Sequence, residues 1–386
     1  MPEISFSDTH QTGTRLQTTV RRDDDEEMVL WFELPWEFRP HDDLINLTLA
    51  TLCGKLYDTV RLDLPASERC QATLRRITDA EVVCAQAAPF FRGNGDRTAL
   101  AFSGGFDSLA AREFMPPEAE LVALDFGGRF ARERRFFERF EPHIVATNLV
   151  DVGMHRASWA FMTVGHILLR DVLRIERCSF GSVLEASKAF LAPAYRHQFA
   201  RLPAFEYLGI SIFNPVAGLT EIATVMTVLK SQPDLVSDCL ESVATRGEGK
   251  YYRKQLMVRA VSHALGVSTD IADMPEPRNW FGLGDDFATD FLSPYLLAHT
   301  STEQLAGLYS DEIPLEVLEF ADQPNLDFFT RLNTTITEAE HARERQETFA
   351  HGARFDIQPY GRDDWQQLGR WRAAMVAAGM LAAQAR

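Results

Sequence analysis

Thr98-Ala99-Leu100-Ala101-Phe102 runs apolar into Ser103-Gly104-Gly105-Phe106-Asp107-Ser108, and Leu109-Ala110-Ala111-Arg112-Glu113-Phe114 follows with a helical period. The layout is strand, glycine turn, helix. Two adjacent glycines let backbone approach a bound group with no Cβ in the way. The N–H groups of such a turn and of the helix start converge on one spot, which favours an anion. Ser103 and Ser108 add hydroxyls. Asp107, itself an anion, suits a magnesium ion shared with phosphate oxygens. The plainer alternative is a helix start after a glycine turn, capped by Asp107 or Ser108.

Working outward, the pattern alternates between strand and helix, which predicts a doubly wound parallel sheet with helices on both faces. Strands are expected at 98–102, 120–126, 143–147, 177–180 and 209–213, with helices starting at Asp107, Phe130, His155 and Glu185. The 157–174 segment reads as one helix with a broad apolar stripe, and its neighbours His155 and His166 read as structural. Ligands in such sheets bind beyond the carboxyl ends of the strands. Asp125-Phe126-Gly127-Gly128-Arg129 and Phe180-Gly181-Ser182-Val183-Leu184-Glu185 both fall at such ends. Arg129 offers a charge for phosphate or carboxylate. Glu185 suits a substrate amine, a metal or merely a helix N-terminus.

Residues 1–95 read as a separate α+β region, 96–270 as the nucleotide-binding domain and 271–386 as a mostly helical extension. In the first region, strands at 14–21, 28–34 and 59–64 accompany helices at 44–52 and 68–85, and the acidic run 23–27 reads as a hairpin tip. Lys250, Arg253 and Lys254 read as the solvated face of a helix or as a cluster closing over an anion. In the extension, Trp280, Phe287, Phe291, Phe328 and Phe329 are expected in the core, and 368–385 as a terminal helix or oligomer contact.

Composition bounds the partners. A net charge of −16 disfavours nucleic acid and anionic membranes. No apolar run is long enough to span a bilayer, and the N-terminus does not read as a secretion signal. Five scattered cysteines without a CxxC pair suit reduced thiols in a cytoplasm and leave no zinc site.

The turn Ser103-Gly104-Gly105-Phe106-Asp107-Ser108 resembles the SGGxDS signature of the PP-loop ATP pyrophosphatases. Asp125, Gly127, Arg129 and Glu133 resemble the 7-cyano-7-deazaguanine synthase branch of that superfamily, as do Gly181 and Glu185, and then Pro215, Leu219 and Thr220. Two departures stand out. Glu221 occupies the place of a lysine that offers charge to phosphates, and Cys239 alone survives of the zinc thiols. The resemblance covers residues 97–265 and implies an adenine nucleotide α-hydrolase-like fold of the HUP type. It implies ATP and Mg²⁺ held by Ser103, Gly104, Gly105, Phe106, Asp107 and Ser108, with Asp125, Gly127, Arg129, Gly181 and Glu185 on the adenosine and substrate side. The implied chemistry is adenylation of a carboxylate or amide oxygen on a small molecule, such as a deazapurine carboxylate, followed by attack of a nitrogen nucleophile. An RNA-modifying relative and a nucleotide-binding module without catalysis are the alternatives.

Overall fold

The structure is a computed structural model that describes residues 2–23, 27–90, 93–191, 201–274, 277–337 and 342–381. Most of the acidic run, at 24–26, and the end of the expected terminal helix, at 382–385, lie outside them. The chain forms two compact units. The first comprises Met1–Ser103, Glu118–Phe180 and Phe199–Phe213, and the second Gly104–Pro117, Gly181–Gln198 and Asn214–Arg386.

The first unit is built on a ten-stranded, mostly parallel sheet. Its strands are β1 Glu3–Thr12, β2 Arg15–Arg22, β3 Met28–Glu33, β4 Thr59–Leu62, β5 Glu81–Cys84, β6 Arg97–Ala101, β7 Glu120–Asp125, β8 His143–Thr147, β9 Ile175–Ser179 and β10 Ser211–Ile212. They lie in the order β10-β9-β6-β7-β8-β3-β2-β1-β4-β5. From β10 to β8 every pairing is parallel. Thr98, Ala99 and Leu100 are buried in succession, the mark of a strand enclosed on both faces. The chain steps from β6 to β7 and β8 in one direction, then returns to lay β9 on the other flank of β6. The order therefore reverses between β6 and β9, where open α/β sheets bind their ligands.

The N-terminal strands do not make a sheet of their own. An antiparallel meander of β1, β2 and β3 joins the parallel half through a short seam, Phe32 opposite Thr147 and Glu33 opposite Ala146. Asn148 prolongs that seam with its side chain. Its carboxamide accepts from the Trp31 N–H at 2.9 Å and donates to the Val29 carbonyl at 2.8 Å, as a peptide group would.

Several expectations are corrected. β1 was not foreseen, because its polar half, Ser7-Asp8-Thr9-His10-Gln11-Thr12, lacks an apolar alternation. The helix expected over 68–85 stops at Thr78, where Asp79 adopts a left-handed φ of 57° and returns its N–H to Arg75. The β-branched pair Val82-Val83 then runs as edge strand β5. The helix expected over 157–174 is a 3₁₀ turn, Trp159–Thr163, followed by Val164–Leu169. The helix expected from Glu185 is a single 3₁₀ turn, Leu184–Ala186. Trp280 is 54% exposed and is not core. Among the described residues no helix is long and apolar enough to cross a membrane.

A buried polar knot ties helices together in the first unit. Asp43 accepts from the Ser67 hydroxyl at 3.0 Å, from the Ser67 N–H at 3.2 Å and from the Tyr207 hydroxyl. Ser67 in turn caps the Glu68–Thr78 helix by accepting the Cys70 N–H. Removing one donor from a buried carboxylate costs more than an average hydrogen bond. Tyr207→Phe is therefore expected to lose about 2 kcal/mol of stability, read as a lower urea midpoint at unchanged slope.

The second unit is helical. The helices Phe106–Glu113 and Glu221–Ser231 pack together, and Glu221–Ser231 also packs on Gly249–Leu265. Thr220 caps the Glu221–Ser231 helix by accepting the Ala223 N–H. Phe291, Phe328, Phe329 and Trp371 form an aromatic core, with the Trp371 indole N–H on the Phe291 carbonyl at 2.9 Å.

Candidate functional site

The site is considered one unit at a time. In the first, β6, β7 and β9 are parallel neighbours, so Ser103, Asp125 and Phe180 leave the sheet along one edge. Ser103 is exposed there. Asp125 is buried and shapes its own turn, accepting the Gly127 N–H at 2.9 Å and pairing with Arg134 at 2.7 Å. Gly127 and Gly128 have φ of 64° and 49°, and a Cβ on either would meet nothing within 4 Å. That turn is thus glycine for its conformation and borders open space. The side chain of Arg129 lies outside what the structure describes.

The second unit opens at Gly104, whose φ of 77° requires glycine. Gly105 is the N-cap of the Phe106–Glu113 helix. Buried Cys239 donates its thiol to the Gly104 carbonyl at 3.3 Å. A trans peptide sets its N–H opposite its C=O, so this contact fixes the facing of the Gly104–Gly105 amide. Burial pushes the Cys239 thiol well up, so it stays a donor rather than a thiolate. Phe106 is buried as an apolar anchor, and the Ser108 hydroxyl donates to the Gly105 carbonyl at 3.1 Å, tightening the first helical turn. Gly181, at φ 61°, passes so close that a Cβ would sit 3.4 Å from both the Asp107 carbonyl oxygen and the Ser108 Cα.

Around Asp107 lies a charge network that sequence reading did not assemble. Its carboxylate accepts from the Thr224 hydroxyl at 2.7 Å and lies 3.8 Å from the Lys254 ammonium. Lys254 donates to Glu221 at 2.9 Å. Arg253 stands 3.5 Å from the other Glu221 oxygen and pairs with Asp286 at 2.9 Å. Glu185 accepts the Glu221 N–H at 3.0 Å through one oxygen, while its other oxygen is buried without a partner among the described residues.

Burial would push the Glu221 carboxyl up, but Lys254 and Arg253 outweigh it and bring it down to about 2. Burial, joined by the Glu221 charge, pushes the Glu185 carboxyl well above its ordinary value. Burial also raises Asp107, with Lys254 pulling the other way. Lys254 and Arg253 stay charged, because the neighbouring carboxylates exceed the cost of burying them.

Lys254 and Arg253 are only 5% and 6% exposed, which rules out the solvated-face reading for these two, while Lys250 is exposed. One signal could have found this. Tyr251, Tyr252, Leu256, Met257, Val258 and Val261 flank Arg253 and Lys254 with apolar side chains on the Gly249–Leu265 helix. Cations set among buried apolar side chains must be paired inside.

Among the described residues no group of three or more His, Cys, Asp or Glu is arranged to hold a metal ion by itself. A magnesium ion shared with phosphates needs only one or two protein carboxylates, which Asp107 can supply. No protein-family model, curated protein or solved structure matches this chain.

Proposed function

We propose that this chain is an ATP-dependent adenylating enzyme of the PP-loop kind, with a HUP-type nucleotide-binding sheet. One observation carries the reading. The Ser103-Gly104-Gly105 turn leaves β6 where the strand order reverses, and the helix it starts carries Asp107 beside a buried ammonium. A glycine turn at a switch point is suited to polyphosphate.

The turn backbone and the Ser103 hydroxyl hold the outer phosphates of ATP, leaving the α-phosphorus open. A carboxylate or amide oxygen of a small molecule attacks it. The bond to the bridging oxygen breaks, pyrophosphate leaves and an acyl- or imidoyl-adenylate remains. A nitrogen nucleophile then displaces AMP. Asp107 would hold a magnesium ion, which would supply charge to offset that of the phosphates. Lys254 brings in from another helix the charge that Glu221 cannot offer, and Arg129 adds a second. Asp125, Gly127, Gly181 and Glu185 shape the nucleotide and substrate side. Such preorganised charges act strongly where water is excluded.

Pyrophosphate–ATP exchange tests this without knowledge of the nucleophile. The chain, ATP, Mg²⁺ and a panel of heterocyclic carboxylates are expected to give exchange with at least one acid. Asp107→Ala is expected to lower that exchange about 100-fold or more. ATP binding with no exchange across the panel would favour a binding module without catalysis. Binding and exchange that both survive Asp107→Ala would remove the site assignment.

A further inference from the structure

A cavity of 530 Å³ lies wholly in the first unit, and none of its lining residues is assigned a part in adenylation. Its volume falls in the range of small-molecule sites. Four segments distant in sequence bound it. They are the end of the helix Asp42–Cys53, the last turn of the helix Glu68–Thr78, the 3₁₀ turn Trp159–Thr163 with the residues before it, and the approach to the helix Pro203–Leu208. Gly54, the C-cap of the first of these helices, has φ 53°, and a Cβ there would stand 2.9 Å from the Ala157 Cβ. Only glycine lets those two segments meet to form one wall.

The lining has an apolar part and a charged part. Ile77, Ala160, Leu202 and Pro203 belong to the first. Two buried threonines, Thr51 and Thr163, join them in effect, because their hydroxyls donate to the Leu47 and Ala160 carbonyls of their own segments, each at 2.7 Å. The charged part is Lys55, Arg76 and Arg201, with no aspartate or glutamate among the described lining residues. In a chain of net charge −16 this is a local reversal of sign. The acids that reach two of these cations stand outside the lining. Asp79 lies 3.5 Å from Lys55, and Glu206 pairs with Arg76. Arg201 has no ion-pair partner among the described residues. All three cations are exposed, and singly each would hold an anion weakly. Converging on one apolar-walled cavity they reinforce one another, since charge is screened less there than on open surface.

A cationic ligand would be repelled here. A neutral apolar one would cover the cations without matching them, and a bare inorganic anion would leave the apolar lining wet. An organic anion with an apolar body satisfies both parts. We propose that this cavity is a second ligand site for such a molecule, a carboxylate or phosphate head held by Lys55, Arg76 and Arg201 and an apolar body set against Ile77, Leu202 and Pro203. The guanidinium fork suits either head.

The test uses the full chain, with phenyl phosphate and 4-phenylbutyrate as probes and inorganic phosphate and benzyl alcohol as controls, followed by calorimetry and saturation-transfer NMR. At least one probe is expected to bind with Kd below about 1 mM, and the tighter of the two identifies the preferred head. Both controls are expected to bind at least about tenfold more weakly, since each lacks half of the match. Arg201→Glu is expected to weaken the probe about tenfold or more, and Lys55→Gln about threefold. Arg343→Glu makes the same change of net charge at an exposed position in the second unit and is expected to leave binding unaltered. Circular dichroism checks that the variants fold, and Lys55→Gln carries the test if Arg201→Glu does not. No binding of either probe, a control binding as tightly as the probes, binding unchanged in the folded Arg201→Glu or Lys55→Gln variant, or an equal loss in Arg343→Glu would each overturn the proposal. Failure of ATP to bind would bear on the adenylation reading and leave this result intact.

Discussion

Glu221→Ala unfolds at markedly lower urea, with a loss of about 3–5 kcal/mol, because it strands the buried Lys254 ammonium and takes one of two carboxylates from buried Arg253. Lys254 keeps only Asp107 at 3.8 Å, and Arg253 keeps Asp286 at 2.9 Å. The double variant Glu221→Ala/Lys254→Met is expected to recover part of the loss, since an apolar side chain replaces the unpaired ammonium. The acid limb gives an independent check. The Glu221 carboxyl is depressed from 4.5 to about 2, so its contribution is fully present above pH 4.5 and lost as pH falls through 2. The gap between wild type and Glu221→Ala therefore closes over that window. A gap that stays constant down to pH 2 would mean that the carboxylate charge is not what stabilises this packing.

Lys254→Met lowers pyrophosphate exchange about 100-fold or more while Tyr251, Tyr252 and Leu256 keep the helix seated. The deficit is expected in the exchange rate at saturating ATP as well as in the ATP KM, because the charge matters most as pyrophosphate departs. Lys254→Arg separates charge from geometry, since a guanidinium keeps the first and alters the second. Exchange unchanged in Lys254→Met, with the protein folded, would leave the lysine as a packing partner of Glu221 only.

The parallel half of the sheet was legible because its signals are local. A short apolar run, two glycines and a helical period identify β6 and its turn within a dozen residues. β8 emerged with the expected bounds, His143–Thr147. What was not legible depends on contacts distant in sequence. Glu221 reads as a missing lysine until Lys254, thirty-three positions later, is found at 2.9 Å. Cys239 reads as the remnant of a metal site until its thiol is found on the Gly104 carbonyl. The left-handed stop at Asp79 was hidden because aspartate is also tolerated within helices, and only the returning N–H to Arg75 shows the break.

The narrow seam between β3 and β8 bears on how this architecture could have been assembled. Two opposed residue pairs and one carboxamide are a slight border for a sheet ten strands wide. The parallel strands from β10 to β8 lie wholly on one side of it, and the join falls at the carboxyl end of β8. A lineage could therefore exchange the neighbouring meander, or graft on another, while leaving the carboxyl ends of β6, β7 and β9 unaltered. Asn148, and Arg22 donating to the Val152 carbonyl at 2.5 Å, would be the stitches of such a graft.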